Sequence, residues 1–226
     1  MKKNLIIAID GPAASGKTTT AKLVAQQLGY LHIDTGAMYR AFTLKVLREG
    51  VPLDNISEIA QLASESYIEL RNIQGVQRVL IDGEDVSEEV RTPEVTSAVS
   101  AVSSIPKVRA VMVREQQRLG RDGGVVLEGR DIGTVVFPNA DLKFFMLAGI
   151  DARAARRRDE LSMTGVSVEI NRIKDELQRR DDLDTRREVS PLRQAEDAIT
   201  LDTSDLSVEK QVEIVVTKAK ALLEKS

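Results

Sequence analysis

The sequence contains no cysteine and no tryptophan, and its only aromatic residues are three tyrosines and four phenylalanines. Without cysteine the chain forms no disulfide, thiolate metal site or catalytic thiol. So few aromatic side chains offer no evident stacking platform for nucleic-acid bases. No apolar run approaches the roughly 18 residues that cross a bilayer. Residues 1–3 lead directly into a strand-like stretch without a cleavage signature, so we expect a cytoplasmic protein with neither membrane anchor nor export signal.

Charge is unevenly distributed along the chain. The net charge of -3 argues against a nucleic-acid coat with basic residues over its whole surface, and we expect no nucleic-acid partner. Between residues 153 and 193, however, lysine occurs only at Lys174, whereas ten arginines are present. They are Arg153, Arg156, Arg157, Arg158, Arg172, Arg179, Arg180, Arg186, Arg187 and Arg193. Guanidinium groups suit bidentate contacts with phosphate or carboxylate oxygens, although a solvated helix face paired with Glu and Asp is the alternative.

One motif predicts a nucleoside triphosphate site. Gly11-Pro12-Ala13-Ala14-Ser15-Gly16-Lys17-Thr18 has the spacing G-x-x-x-x-G-K-[ST] of a phosphate-binding loop. An apolar run of strand length, Leu5 to Ile9, precedes it, and apolar residues at helical spacing follow it as far as Leu28. We expect Lys17 to bridge the terminal phosphates and Thr18 to bind Mg²⁺ through its hydroxyl. The alternative is a glycine-rich strand-to-helix turn that binds nothing.

Strand-like and helical segments alternate along most of the chain. Leu31 to Ile33 and Ile199 to Leu201 are typical of short strands, whereas Val125 to Leu127 and Leu142 to Leu147 are mainly apolar runs, as expected for strands buried on both faces. We therefore expect an α/β fold with a parallel sheet whose ligands bind at the carboxyl ends of the strands. Residues from about Ile68 to Val90 alternate instead, with turns at Gln74-Gly75 and Asp82-Gly83, and predict a small antiparallel insertion.

Two further features bear on the predicted site. The helical segments on either side of Ser162-Met163-Thr164-Gly165 bear arginines and predict a lid. Thr35, at the end of the second predicted strand, is expected either to cap the following helix or to contact a ligand.

The remaining sequence favours a kinase over other triphosphate-binding proteins. The D-x-x-G and N-K-x-D segments of signalling GTPases do not occur, and the candidate for the apolar run ending in Asp-Glu of motor ATPases ends in Glu128-Gly129. An acceptor that is itself a phosphate is already ionised, so the enzyme needs positioned arginines rather than a general base. His32 is the only histidine, and we expect it to be a structural residue at a strand end.

Four motifs together resemble the bacterial-type cytidylate kinase family of nucleoside monophosphate kinases. They are Gly11 to Thr18, Asp34-Thr35-Gly36-Ala37-Met38-Tyr39-Arg40, Gly129-Arg130-Asp131-Ile132-Gly133-Thr134 and Arg180-Asp181-x-x-Asp184-x-x-Arg187. The resemblance covers essentially the whole chain. It implies one P-loop kinase domain over residues 1–226, a three-layer α/β/α fold with a five-stranded parallel sheet. An acceptor-binding insertion at about 62–105 and a lid at about 151–180 belong to that domain.

The resemblance also implies the reaction and its participants. They are a direct in-line transfer of the γ-phosphoryl group from ATP to CMP or dCMP without a covalent intermediate, with Mg²⁺ as cofactor. We expect a monomer. The open alternatives are a kinase of the same fold acting on UMP, AMP or a small alcohol, and a nucleotide switch without kinase turnover.

The resemblance assigns roles to individual residues. ATP contacts fall on the loop residues 11–18 and on Thr19, Asp202 and Thr203. Catalytic contacts fall on Lys17, Arg130, Arg153 and Arg157, the last two toward the transferring phosphoryl group. Acceptor contacts fall on Thr35, Tyr39, Arg40, Ser100, Arg109, Arg130, Asp131, Arg180, Asp184 and Arg187. Arg40 and Arg130 would bind the CMP phosphate, and Ser100, Arg109 and Asp131 the cytosine. Glu128 stands where the family has aspartate, and would reach Mg²⁺ through a water molecule.

Overall fold

The computed structural model describes residues 4–73, 76–163 and 165–224. The predicted turn at Gln74-Gly75 and residue Thr164 of the predicted lid loop lie outside the described residues. The chain divides into two compact units, one formed by Met1–His32 with Asp122–Ser226 and the other by Ile33–Arg121. Each unit has its own hydrophobic core.

The helices and strands occur in the following order along the chain. They are β1 (Ile6–Asp10), α1 (Lys17–Leu28), β2 (Leu31–Asp34), α2 (Thr35–Arg48), α3 (Ile56–Glu65), β3 (Ile68–Ile73), β4 (Val76–Ile81), β5 (Glu84–Asp85), α4 (Pro93–Ser104), α5 (Pro106–Gly120), β6 (Val125–Gly129), β7 (Leu142–Leu147), α6 (Ile150–Met163), α7 (Ile170–Arg186), β8 (Ile199–Asp202) and α8 (Val208–Leu223). A short 3-10 helix occupies Glu89–Arg91 and a π-helical turn occupies Ile132–Val136.

The main sheet confirms the α/β prediction. Its five strands lie in the order β2-β6-β1-β7-β8, and β1 pairs in parallel with both β6 and β7, as β7 does with β8. The register places Asp10 opposite Gly129, so β1 and β6 end side by side. Because parallel strands all point the same way, the segments that follow β1 and β6 begin at the same edge of the sheet.

The core of the first unit explains why its segments form these elements. Helices α1 and α8 each bury one stripe, which includes Val24 in α1 and Val215 in α8. These stripes pack with buried strand residues such as Ile7 and Phe144. A smaller cluster joins α6 to α7 through Ala154, Ile173 and Leu177. The helical spacing read from the sequence therefore reflects faces buried in this unit.

The second unit contains the predicted antiparallel insertion. Strands β3, β4 and β5 form a three-stranded sheet in that order, with antiparallel pairing of β4 to both neighbours. Asp82 (φ 52) and Gly83 (φ 86) join β4 to β5, and positive φ at both positions is typical of a two-residue hairpin turn. That predicted turn is confirmed. Helices α2 to α5 complete the unit around a core that contains Phe42 and Met112.

The cap of α2 differs from one of the expectations for Thr35. Asp34 is the N-cap residue, and its side chain accepts a hydrogen bond from the Ala37 amide at 3.0 Å. Thr35 is the first helical residue and is buried. The helix thus begins one residue earlier than a Thr35 cap would require, because the Asp34 carboxylate at the end of β2 supplies the capping acceptor.

Within the described ranges, no helix is both long and apolar enough to cross a membrane.

Candidate active site

The loop between β1 and α1 is held tightly against the sheet. Gly11 lies so close to β7 that a Cβ atom added to it would stand 2.2 Å from the Met146 carbonyl oxygen. Gly16 adopts φ 93 at the N-cap of α1, where its carbonyl accepts from the Thr20 amide at 3.1 Å. Neither position accommodates a side chain without strain. The tight curl brings the amino end of a twelve-residue helix to the carboxyl end of β1, as an anion-binding loop requires.

Lys17 and Thr18 are the first two residues of helix α1, and both of their side chains are hydrogen-bonded within the protein. The Lys17 ammonium is buried and donates to the Pro12 carbonyl at 3.0 Å, so it lies over the loop. The Thr18 hydroxyl donates to Glu128 Oε2 at 2.7 Å. Glu128 Oε1 lies 3.2 Å from His32 Nε2. Thr18, Glu128 and His32, predicted separately from three parts of the sequence, thus form one polar chain beside the loop.

Glu128 is ionised in this chain of contacts. Its side chain is almost wholly buried at the end of β6. Burial alone would raise the pKa of Glu128, but the hydrogen bond and charge of His32, the charge of Lys17 and the Thr18 hydroxyl together hold this pKa below its usual value. A buried anion next to a hydroxyl provides the hard oxygen donors that Mg²⁺ prefers. Thr18 and Glu128 therefore fit the predicted metal.

Thr203, which follows β8, holds the phosphate loop through its side-chain hydroxyl. Its hydroxyl is fully buried and contacts the Ser15 carbonyl at 2.8 Å and the Leu147 carbonyl at 3.0 Å. Arg156 donates to both the Thr203 hydroxyl and the Thr203 carbonyl. Asp202, predicted as an ATP contact, is exposed and accepts hydrogen bonds from the Ser204 amide and hydroxyl. The Thr203 side chain thus supports the loop.

The turn after β6 and the end of α7 bring four predicted acceptor residues together. Arg130 donates through Nε to Asp184 Oδ2 at 2.8 Å. Arg187 lies 3.9 Å from Asp184 Oδ1 and 3.8 Å from Asp131 Oδ1. Burial would raise the pKa of Asp184, but the charges of Arg130 and Arg187 and the bond from Arg130 lower it. Asp184 is thus an ionised anchor that holds two guanidinium groups beside Asp131.

Arg180 joins the same cluster from α7. Burial and the neighbouring positive charge of Arg130 lower its pKa. Its Nε is buried and has no hydrogen-bond partner within the part of the chain that the structure describes. Two guanidinium groups close enough to repel each other, one with an unsatisfied donor, form a site that an anion would stabilise.

The two predicted lid arginines have different surroundings. Arg153 is buried in α6 and donates to Asp181 at 2.6 Å, to the Ala148 carbonyl at 3.1 Å and to the Ala13 carbonyl at 3.3 Å. Arg157 is half-buried and contacts the exposed Glu160 at 3.1 Å. Arg153 therefore ties α6 to α7 and to the phosphate loop, whereas Arg157 forms a surface ion pair with a residue of its own helix.

In the second unit, the predicted acceptor residues lie on α2, α4 and α5. Arg40 donates to the Thr96 hydroxyl at 2.9 Å. Arg109 is buried, lies 5.2 Å from the centre of the Tyr39 ring and donates to the Ser103 carbonyl at 3.1 Å. Ser100 is half-buried one turn before Ser103. The structure thus brings Tyr39 and Arg109 into direct cation-π contact.

Several residues of the site were given no role from the sequence. Asp10 accepts two backbone hydrogen bonds from the turn after β6. Asp181 pairs with Arg153, and Gln211 of α8 accepts from the Thr20 hydroxyl at 2.8 Å. The available signal was weak: Asp10 is a charged residue at the carboxyl end of an apolar strand, where ligands bind in such sheets.

Comparison with known proteins shows which family this sequence matches. The family model described as cytidylate kinase matches residues 7–221. The chain is 48% identical over 216 residues to cytidylate kinase of Geobacillus sp. (strain WCH70), with 96% of each chain covered. It is 48% identical over 225 residues to that of Bacillus cytotoxicus, with 100% of each covered. It is 49% identical over 210 residues to that of Bacillus subtilis (strain 168), with 93% of this chain and 94% of the relative covered.

Proposed function

Because the chain belongs to the cytidylate kinase family, we propose that it transfers the γ-phosphoryl group of ATP to CMP or dCMP, giving ADP and CDP or dCDP. The observation that most supports this proposal is the shared end of β1 and β6. The phosphate loop follows β1, and Arg130 and Asp131 follow β6, with Asp10 and Gly129 paired in register. Donor and acceptor groups thus leave the sheet from neighbouring strands.

The proposed reaction needs no general base. An oxygen of the acceptor phosphate attacks the γ-phosphorus in line, and the new bond forms as the bond to the bridging oxygen of ADP breaks. The attacking oxygen is already ionised, so the protein chiefly positions two polyanions and offsets their repulsion. Lys17 over the loop and the cluster of Arg130, Arg180 and Arg187 supply positive charge for both. His32, bound to Glu128, is not required as a base.

Asp131 is proposed to select the base. A carboxylate accepts a hydrogen bond from the exocyclic amino group of cytosine, whereas uracil presents a carbonyl oxygen at that position. Asp131 is buried, so a UMP base would leave it facing another acceptor. Sites that hydrogen-bond a substrate group reject analogues that lack the group far more strongly than apolar pockets do.

Mg²⁺ is proposed as the cofactor, held by the Thr18 hydroxyl and, through water, by Glu128. When bound with ATP, it neutralises phosphate charge. Glu128 orients the Thr18 hydroxyl at 2.7 Å and is itself fixed by His32. Glu128, at a position where the resemblance led us to expect aspartate, is therefore held in place by two partners.

The remaining assignments extend this proposal to the other predicted residues. The acceptor contacts proposed in the second unit are Thr35, Tyr39, Arg40, Ser100 and Arg109. Ser100 lies within the insertion at about 62–105, whereas the first three residues lie on α2 and Arg109 lies on α5. In the segment 151–180, proposed as a lid, Arg153 and Arg157 are assigned to the transferring phosphoryl group. Arg153 would exchange Asp181 for a phosphate oxygen. The enzyme is proposed to act as a monomer.

An acceptor panel tests the proposed function. Purified protein with MgATP is supplied separately with CMP, dCMP, UMP, AMP and a small alcohol, and ADP release is followed with product identification. We expect kcat/KM for CMP or dCMP to exceed that for UMP or AMP by about 100-fold or more, because a missing donor group is strongly penalised. Phosphorylation of CMP no better than of UMP or AMP would indicate another acceptor. Nucleotide binding without acceptor-dependent ADP release would indicate a switch.

A further inference from the structure

We propose that Asp10 is a positioning residue for base selection, which holds the turn that carries Asp131 in register with the phosphate loop. This inference rests on the proposed function, since it deepens the role assigned to Asp131. Asp10 occupies the last position of β1 and directly precedes Gly11. Asp10 is therefore next in sequence to the loop proposed to bind ATP. Its side chain, however, is hydrogen-bonded to the turn that carries the proposed acceptor residue Asp131.

The contacts of Asp10 are directed at one turn. Its Oδ1 accepts from the Ile132 amide at 2.9 Å and its Oδ2 accepts from the Gly133 amide at 2.8 Å. These amides immediately follow Asp131, whose backbone lies at φ -146 and ψ 23. Both carboxylate oxygens of Asp10 are thus used to fix the two peptide groups after the residue proposed to read the base.

Gly133 makes this close approach possible. A Cβ atom added to Gly133 would lie 3.5 Å from Asp10 Oδ2 and 3.1 Å from Lys143 Cδ. Lys143 of β7 is itself buried and donates to the Pro138 carbonyl and to Asp197 at 2.8 Å. The turn is therefore packed between the Asp10 carboxylate and the Lys143 stem, so that loss of either oxygen of Asp10 changes the position of its backbone.

The charge state of Asp10 matters for this geometry. Burial raises the pKa of Asp10 to about 6, against the lowering effect of the Gly133 and Ile132 amides, while Asp131 raises it and Arg130 lowers it. The charged groups around it are thus Asp131 and Arg130 on the turn, with Lys143 approaching the same turn from β7. Protonation places an O–H against one of the two amides, which ends the double acceptance.

The experiment measures base selectivity, the ratio of kcat/KM for CMP to that for UMP, in Asp10→Asn and Asp10→Ala. Asn keeps one acceptor oxygen and opposes the other amide with an NH₂ group, whereas Ala removes both acceptors. A displacement of about 1 Å costs about 100-fold in a positioned interaction. We expect the selectivity ratio to fall by about 10- to 100-fold in Asp10→Asn and further in Asp10→Ala, because Asp131 loses its fixed position.

Asp141→Asn is the matched control. Asp141 Oδ2 accepts from the Ile6 amide at 2.9 Å, so this carboxylate supports the opposite end of the same strand. The control should keep the selectivity ratio within about twofold of the wild type even if it lowers stability. A change at a site distant from Asp131 should affect kcat/KM for CMP and for UMP equally, so their ratio stays the same. Unchanged selectivity in folded Asp10→Asn, or an equal loss in Asp141→Asn, would overturn the inference.

The wild-type protein provides a second arm that does not depend on how the variants fold. The same selectivity ratio is measured from pH 8 to about pH 5.5, and protonation of the acceptor phosphate cancels because CMP and UMP share that group. We expect the ratio to fall as the pH drops through about 6, where Asp10 takes up a proton. A ratio that stays constant contradicts the inference. A wild type that does not prefer CMP at any pH refutes the proposed function instead.

Discussion

Lys17→Met should lower kcat at saturating ATP and CMP by about 10³-fold, which corresponds to about 4 kcal/mol of lost transition-state stabilisation. The Lys17 ammonium is buried and held over the phosphate loop by the Pro12 carbonyl at 3.0 Å. It thus acts where water screens charge poorly and where negative charge shifts from the γ-phosphoryl group to the leaving ADP. Methionine preserves the length and apolar stem of the side chain. The measurement is steady-state ADP release, with thermal unfolding to verify the fold.

Lys22→Met is the matched control for this change. Lys22 lies in the same helix but is exposed, so its removal should leave kcat within about twofold of the wild type. If Lys17→Met retained more than about a tenth of wild-type kcat, the loop would not supply the catalytic charge that P-loop kinases require.

Arg130→Ala and Asp131→Ala should have different kinetic effects, although the two residues are adjacent. Arg130→Ala removes a guanidinium held by Asp184 at 2.8 Å and should lower kcat/KM for every nucleoside monophosphate by about 10³-fold, because all share the phosphate. Asp131→Ala should chiefly reduce the preference for CMP over UMP. The measurement is kcat/KM for CMP, UMP and AMP in both variants.

Arg158→Ala is the control for loss of an arginine elsewhere in the same compact unit. Arg158 is exposed and pairs with the exposed Asp159, so its removal should leave all acceptors nearly unaffected. Equal losses across all three bases in both Arg130→Ala and Asp131→Ala would contradict the division of work between phosphate and base recognition.

The phosphate loop was predictable because its signal is local. A strand, a glycine-rich loop and a helix in direct succession determine the geometry of Gly11 to Thr18, and the structure places each of them within one residue of expectation. The hairpin at Asp82-Gly83 was predictable for the same reason, since its dipeptide favours positive φ at both positions.

Long-range partners were not predictable from local pattern. The expected first strand ended at Ile9, yet it includes Asp10, whose acceptors serve amides more than 120 residues away along the chain. Likewise, the four clustered arginines of α6 could not be ranked from spacing alone. Their surroundings depend on Asp181 of α7 for Arg153 and on Thr203 after β8 for Arg156. Only the tertiary structure supplies these partners.

The most direct test of the proposed function is a crystal structure of the protein with CMP and a non-hydrolysable ATP analogue. The proposed function predicts the analogue phosphates in the loop of residues 11–18, the CMP phosphate on Arg130, and the cytosine amino group about 2.9 Å from an Asp131 carboxylate oxygen. A structure in which the pyrimidine ring binds away from Arg130 and Asp131 would contradict the account.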